Sequence, residues 1–242
     1  MRSITVTAVI IAIAAVNQAK ASLINGGFEN GFTGFATIGD TSIVTSTFGS
    51  GPTQGTFEAL LTTISPYQVP PGNAADVSIL EPFLGLSPGQ LSTLTTDPFG
   101  VTDGSAITQT FTASKGSVLK FDYNFLTNEL LQLPPFNDLA FVEIGSTLIK
   151  LTDVSTATLV ASNTVFANET GFQTYSYTIP ATGTYTFGIG VAGVEDVFGQ
   201  SAILVDNITL TSGVPEPTSM IPLGIGMATL AGYSVYRGRR SP

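Results

Sequence analysis

Ser117-Val118-Leu119-Lys120-Phe121-Asp122-Tyr123-Asn124-Phe125 alternates apolar and polar side chains with a period of two. Leu119, Phe121, Tyr123 and Phe125 share one face of an extended chain, and Lys120, Asp122 and Asn124 share the other. That pattern is a half-buried β-strand. The sequence downstream continues it. Segments 139–144 and 147–151 flank Gly145-Ser146, a hairpin signal. Segment 172–179 sets Phe172, Thr174, Ser176 and Thr178 against Gln173, Tyr175, Tyr177 and Ile179. After the Pro180-Ala181-Thr182-Gly183 turn, 184–191 places Tyr185, Phe187, Ile189 and Val191 on one face, and 201–210 carries Ile203, Val205, Ile208 and Leu210. Upstream, 35–38, 43–47, 56–62 and 107–112 supply further strands. About ten short antiparallel strands predict an all-β, two-sheet β-sandwich of the jelly-roll kind.

One region departs from this period. Asn73 with Asp76 three residues on reads as a helix start, followed by Val77, Leu80, Phe83 and Leu84 at helical spacing. Ser87-Pro88 has cap-and-first-turn character before Leu91 and Leu94. The expectation is one or two short helices capping the core.

Both ends of the chain carry targeting patterns. Residues 1–21 hold a weakly basic start, an apolar stretch from Ile4 to Val16 and a small-x-small triplet, Ala19-Lys20-Ala21, which predicts a signal helix cleaved before Ser22. Residues 22–213 form the domain. Residues 214–242 read Val214-Pro215-Glu216-Pro217, then an uncharged stretch over 218–236, then a basic tail with Arg237, Arg239 and Arg240. The uncharged stretch can cross a bilayer core of about 30 Å as a helix rising 1.5 Å per residue. The arginines fit the cytoplasmic side. This tripartite tail resembles the PEP-CTERM sorting signal of bacterial exopolysaccharide-associated proteins. The resemblance implies that a membrane protease, an exosortase, recognises the Pro-Glu-Pro motif and cuts near it. An ordinary membrane anchor is the other reading of the same tail.

Composition restricts the chemistry. The 242-residue chain has no His, no Cys and no Trp, and no Arg lies between Ser22 and Val214. Histidine general-base chemistry, thiolate nucleophiles, disulfides and bidentate guanidinium clamps are excluded. Between Ser22 and Val214, three lysines stand against sixteen Asp and Glu, a net charge of −13, which argues against a nucleic-acid partner. Carboxylates, amides and hydroxyls remain, an inventory suited to calcium.

Leu23-Ile24-Asn25-Gly26-Gly27-Phe28-Glu29 resembles the opening of galactose-binding-like jelly-roll modules, and 202–208, which ends Asp206-Asn207-Ile208, resembles their closing strand. The resemblance implies that first and last segments are neighbours. It also implies a structural Ca2+ with Glu29 and Asp206 as its side-chain ligands, and glycan as ligand. A turn role for Asp206 and Asn207, with Glu29 solvated, accounts for the same residues. A second polar cluster, Asn128 and Glu129 with Asn137 and Asp138, brackets an apolar, Pro-rich stretch at 130–135, and Glu195, Asp196 and Gln200 follow in a later loop. If the flanking strands pair, these residues converge on a metal or sugar site; as turn formers they need no ligand. Asn124-Phe125-Leu126-Thr127-Asn128-Glu129 also resembles a stretch of exported PEP-CTERM proteins of unassigned role. No local motif singles out a glycosidase acid–base pair among Glu129, Asp138 and Glu143, so the expectation is no enzyme activity. Two readings stand: an exported, non-catalytic module that binds glycan, or a purely structural surface or matrix protein.

Overall fold

The computed structural model describes residues 23–64, 71–129, 137–195 and 199–213. The predicted signal helix (1–21), the sorting motif, membrane span and basic tail (214–242), and the apolar stretch 130–135 lie outside the described residues. Among the described residues, no helix is long and apolar enough to cross a membrane.

In chain order the strands are β1 (Ala36–Ile38), β2 (Asp40–Val44), β3 (Glu58–Thr62), β4 (Ala75–Asp76), β5 (Val101–Ala113), β6 (Val118–Thr127) and β7 (Leu139–Ile144). They continue with β8 (Thr147–Asp153), β9 (Val160–Ala161), β10 (Asn168–Glu169), β11 (Gln173–Thr178), β12 (Gly183–Val194) and β13 (Ser201–Thr211). Every pairing is antiparallel, as a sandwich of short connections expects. The first sheet runs β1-β5-β12-β7-β8, with β4 also on β5. The second runs β2-β3-β13-β6-β10-β9, with β11 also on β6.

The alternation that predicted β6 is realised in the core. Leu119, Phe121, Tyr123 and Phe125 point inward and meet Phe187, Ile189 and Val191 of β12, Ala140, Val142 and Ile144 of β7, and Ile203 and Val205 of β13. Phe121 bridges the sheets, with its ring 5.5 Å from Phe187 and 5.4 Å from Tyr175. Each such side chain contributes about 1.5–3 kcal/mol by leaving water.

The outer faces are also covered. Ala106, Leu139, Phe141, Ala192 and Val194 of the first sheet or its ends pack under Leu80, Leu84 and Leu91. Leu60, Leu126, Ala202 and Leu204 on the second sheet pack with Phe166, flanked by Val44, Phe48 and Phe172.

The helical region differs from expectation in two ways. The helix, α1 (Val77–Phe83), is capped by Asp76, whose carboxylate accepts from Ser78 N at 2.8 Å. Asn73 is not its cap, because Ala75 and Asp76 are held extended against Gly104 and Asp103 of β5. The second predicted helix is a 3-10 turn over Leu91–Leu94. The buried Glu81 of α1 fixes its approach by accepting from Gly89 N (2.7 Å) and Leu91 N (2.8 Å). The strand expected at 43–47 lies earlier, at β2, and 46–48 turns as a 3-10 helix capped by Thr45.

Candidate cation and ligand site

Register places three acids side by side. Val205 of β13 stands opposite Ala59 of β3, so the next position puts Asp206 across from Glu58. Asp206 is also opposite Asp122 of β6, and Asp122 is opposite Thr174 of β11. Since Ala59, Val205 and Tyr123 face the core, Glu58, Asp206 and Asp122 face outward in one row. Neighbouring strands lie about 4.8 Å apart, and like charges directly opposite one another destabilise a sheet.

The chain surrounds two of the three acids with donors. Asp206 accepts from Gln54 N (2.7 Å), Thr53 Oγ1 (3.1 Å) and Asn207 N (2.6 Å). Asp122 accepts from Thr53 Oγ1 (2.8 Å), Asn207 Nδ2 (2.9 Å) and Thr174 Oγ1 (2.6 Å). A break in register after Asp206, with Asn207 at φ 53°, aims the Asn207 amide at Asp122. Burial pushes the Asp122 carboxyl up, but Thr174, Asn207, Thr53 and the Lys120 charge outweigh it and leave the pKa below the ordinary value. For Asp206 burial outweighs its donors, and the pKa is raised.

Glu58 has no such help. It is fully buried, and neither carboxylate oxygen has a hydrogen-bond partner among the described residues. Burial, and then the neighbouring Asp206 charge, push its pKa up to about 8.

The N-terminal segment closes on this row. Ile208 N donates to Gly26 O at 2.9 Å. A Cβ on Gly26 would lie 1.9 Å from Ile208 O, so this approach requires glycine. Asn25 and Phe28 adopt φ of 54° and 55°, and the Asn25 side chain ties the turn by donating to Gly31 O and Thr33 O. Phe28 is buried, with its ring 5.2 Å from Phe35. The turn leaves Glu29 exposed, and Glu29 Oε1 accepts from Thr56 N (2.7 Å) and Phe57 N (3.1 Å). Glu29 and Asp206 therefore grip opposite ends of one segment, 53–57. The Gln54 amide oxygen fills the space over Gly27, where a Cβ would lie 1.9 Å from Gln54 Oε1 and 3.8 Å from Asp206 Oδ1.

This arrangement gives the implied calcium a partial fit. Asp206 has an oxygen-rich setting, and the orphaned Glu58 carboxylate beside it suits a hard cation. The Glu29 oxygen that faces this segment is already occupied by backbone N–H groups. Among the described residues, no three His, Cys, Asp or Glu side chains are grouped as metal ligands. Glu58, Asp122, Thr53 and Gln54 were not singled out by the sequence. The available signal was an acid inside the apolar strand Glu58-Ala59-Leu60-Leu61.

The second cluster also assembles, but it is self-contained. Glu129 and Asp138 meet where Asp138 N donates to Glu129 Oε2 at 3.2 Å. Asp138 accepts from Val194 N (2.9 Å) and Thr63 Oγ1 (3.2 Å), which joins β7 to the end of β12 and to the residue after β3. Burial, then the Glu129 charge, raise the Asp138 pKa well above the ordinary value. Asn128 and Asn137 each serve a loop: Asn128 Oδ1 accepts from Ala167 N (2.7 Å) and Asn137 Oδ1 from Ser155 N (2.9 Å). Gln200 approaches through its carbonyl, which accepts from Asn128 N. Glu195 follows β12 at φ 74°, and Asp196 lies outside the described residues.

No protein-family model matches the chain, and no curated protein matches it. Solved structures similar to it include a carbohydrate-binding module in complex with β-1,4-galactotriose, at 13% identity and TM-score 0.41, covering 80% of this chain and 99% of that one. A family 16 carbohydrate-binding module is similar at 12% identity and TM-score 0.37, over 78% of this chain and 98% of that one. The K3 cleaved adhesin domain of Lys-gingipain from Porphyromonas gingivalis is similar at 15% identity and TM-score 0.39, over 80% of this chain and all of that one.

Proposed function

We propose that the sandwich is a non-catalytic, glycan-binding jelly-roll module of an exported protein. Its tail would be recognised by an exosortase-type protease at Val214-Pro215-Glu216-Pro217. The precursor is membrane-anchored through 218–236 and the mature protein resides at the cell surface or in the extracellular matrix. A structural calcium ion braces the module.

The observation that carries this is the closure of the Asn25–Glu29 turn on the closing strand. Ile208 N reaches Gly26 O at 2.9 Å, and Glu29 and Asp206 hold the two ends of one intervening segment. This supports the resemblance to galactose-binding-like modules, in which first and last segments are neighbours.

A glycan array probed with the protein in calcium and in chelator tests the reading. Binding to one class of glycan, weakened by chelator, is expected. Absence of binding to any glycan, with identical melting in calcium and chelator, rejects it. The mass of the C-terminus in producing cells separates cutting near Pro215 from retention of the whole tail.

One observation favours the purely structural alternative. The described outer faces of both sheets are largely occupied by the protein's own apolar side chains. Under that alternative the array stays blank while the protein still partitions with the matrix.

A further inference from the structure

We infer that Glu58 and Asp206 form a divalent-cation site on the outer face of the second sheet, beside the Gln54 amide oxygen, and that Glu29 is a loop clamp outside it. The inference rests on the calcium reading above and changes the residues assigned to it.

The central observation is the Glu58 side chain. It is fully buried, and among the described residues neither of its oxygens has a hydrogen-bond partner. A carboxylate taken out of water without donors is strongly disfavoured, so native chains pair such groups, keep them protonated or give them a metal. Its neighbours along the row offer no donor: Val44 of β2 stands on one side and Asp206 on the other. Lys120 lends its charge to Asp122, one strand further away. Asp206 is half of the explanation, since its own donors come from Thr53, Gln54 and Asn207 and none reaches Glu58. Among the described residues, these two adjacent carboxylates and the amide oxygen form an oxygen-only donor set.

The donor set selects the ion class. Calcium accepts six to eight oxygens in irregular arrangements, including bidentate carboxylates and amide carbonyls. Magnesium demands near-octahedral geometry and sheds water reluctantly. Asp122 lies one strand spacing beyond Asp206 and adds negative potential, consistent with the lack of a three-acid ligand group among the described residues. Glu29 differs in kind. It is exposed and its Oε1 is held by Thr56 N and Phe57 N, so its role is to fix the segment that carries Gln54.

The test is calorimetric titration of the full chain in mild detergent with CaCl2 and with MgCl2, alongside Glu58→Gln, Asp206→Asn and Glu29→Gln. Thermal melts in calcium and in chelator accompany each titration. The wild-type chain should bind calcium in roughly the 0.1–1 mM range of extracellular modules, and magnesium more weakly. Glu58→Gln and Asp206→Asn should each weaken calcium binding by roughly tenfold or more and remove the calcium-dependent rise in melting temperature. Glu58→Gln should still melt in chelator as one cooperative transition while losing the calcium-dependent rise, which separates ligand loss from misfolding. Glu29→Gln should keep calcium affinity within about threefold. If Glu58→Gln binds as the wild type does, or Glu29→Gln alone abolishes binding, the assignment is overturned while the calcium reading survives. If the wild-type chain binds no calcium, both fall.

Discussion

Replacing Glu143 by Gln should flatten part of the pH dependence of stability. Glu143 lies on β7, on the face away from the main core, beneath the layer formed by α1 and the turn after it. It is 3% exposed, and its Oε2 has no hydrogen-bond partner among the described residues. A Cβ on Gly188 would lie 3.2 Å from that oxygen and 2.9 Å from Leu84 Cδ2, which places the carboxyl against the covering layer. Burial raises its pKa from 4.5 to about 7. The folded state therefore holds a proton that the unfolded state releases. That stabilisation is complete below pH about 4.5 and is lost progressively as pH rises towards about 7. A shift of this size corresponds to about 3 kcal/mol in total, at about 1.4 kcal/mol per pKa unit. Glu143→Gln cannot ionise, so it should gain up to that amount relative to the wild type between pH 4.5 and 7.5, offset by a constant cost of about 1–3 kcal/mol for its unpaired amide. Urea unfolding of both proteins at half-unit steps across that range measures the difference. Taking the difference cancels the contributions of Glu58, Asp138 and Asp206, whose carboxyls are also raised. Two parallel stability curves would refute the claim that this carboxyl is held protonated by burial.

Gly26→Ala should destabilise the domain by about 2–4 kcal/mol, because its methyl would meet Ile208 O, and calorimetric melting will show the drop. Asp153 is pushed up by burial, but Lys150, Thr156 and Ser155 outweigh this and hold its pKa at about 2. Asp153→Asn should cost about 2 kcal/mol at neutral pH, and in acid titrations the penalty should vanish as pH falls from about 4 through 2. Asp76→Ala removes the cap on α1 and should cost about 1 kcal/mol, seen as faster amide exchange at Ser78 and in the first turn.

The strands were legible wherever one face of a sheet met the main core. β6, β11 and β12 show period two because their other side chains are mostly polar or small, and their expected spans agree with the structure to within a few residues. The first half of β5 was not legible. Asp103, Gly104 and Ser105 are turn formers by type, yet they pair with β12 on the side covered by α1. The acid row was hidden for a related reason. Glu58, Asp122 and Asp206 lie in sequence at three separate strands, and only the antiparallel register of β3, β13 and β6 aligns them. Glu29 and Asp206 were found because they sit in short recognisable stretches, and their position at two ends of the 53–57 segment is a property of the loop's backbone donors, which sequence does not encode by type.

Covering both sheets explains why this chain carries buried carboxylates on faces that would otherwise be wet. In β3 and β7 every residue is buried, so Glu58 and Glu143 cannot reach solvent by facing away from the core. Glu143 sits beneath the helical layer and Glu58 beside the segment held by Glu29 and Asp206. The two differ in their neighbours. Glu143 is raised by burial alone, so a proton suffices to neutralise it. Glu58 is raised by burial and by Asp206, a second acid whose charge one proton on Glu58 does not remove. Neutralising that pair takes either two protons or one doubly charged cation, and the cation proposed above would do so by displacing the proton that burial keeps on Glu58. The same covering layers that make both outer faces apolar thus leave two acids buried, one neutralised by a proton and the other the proposed cation ligand.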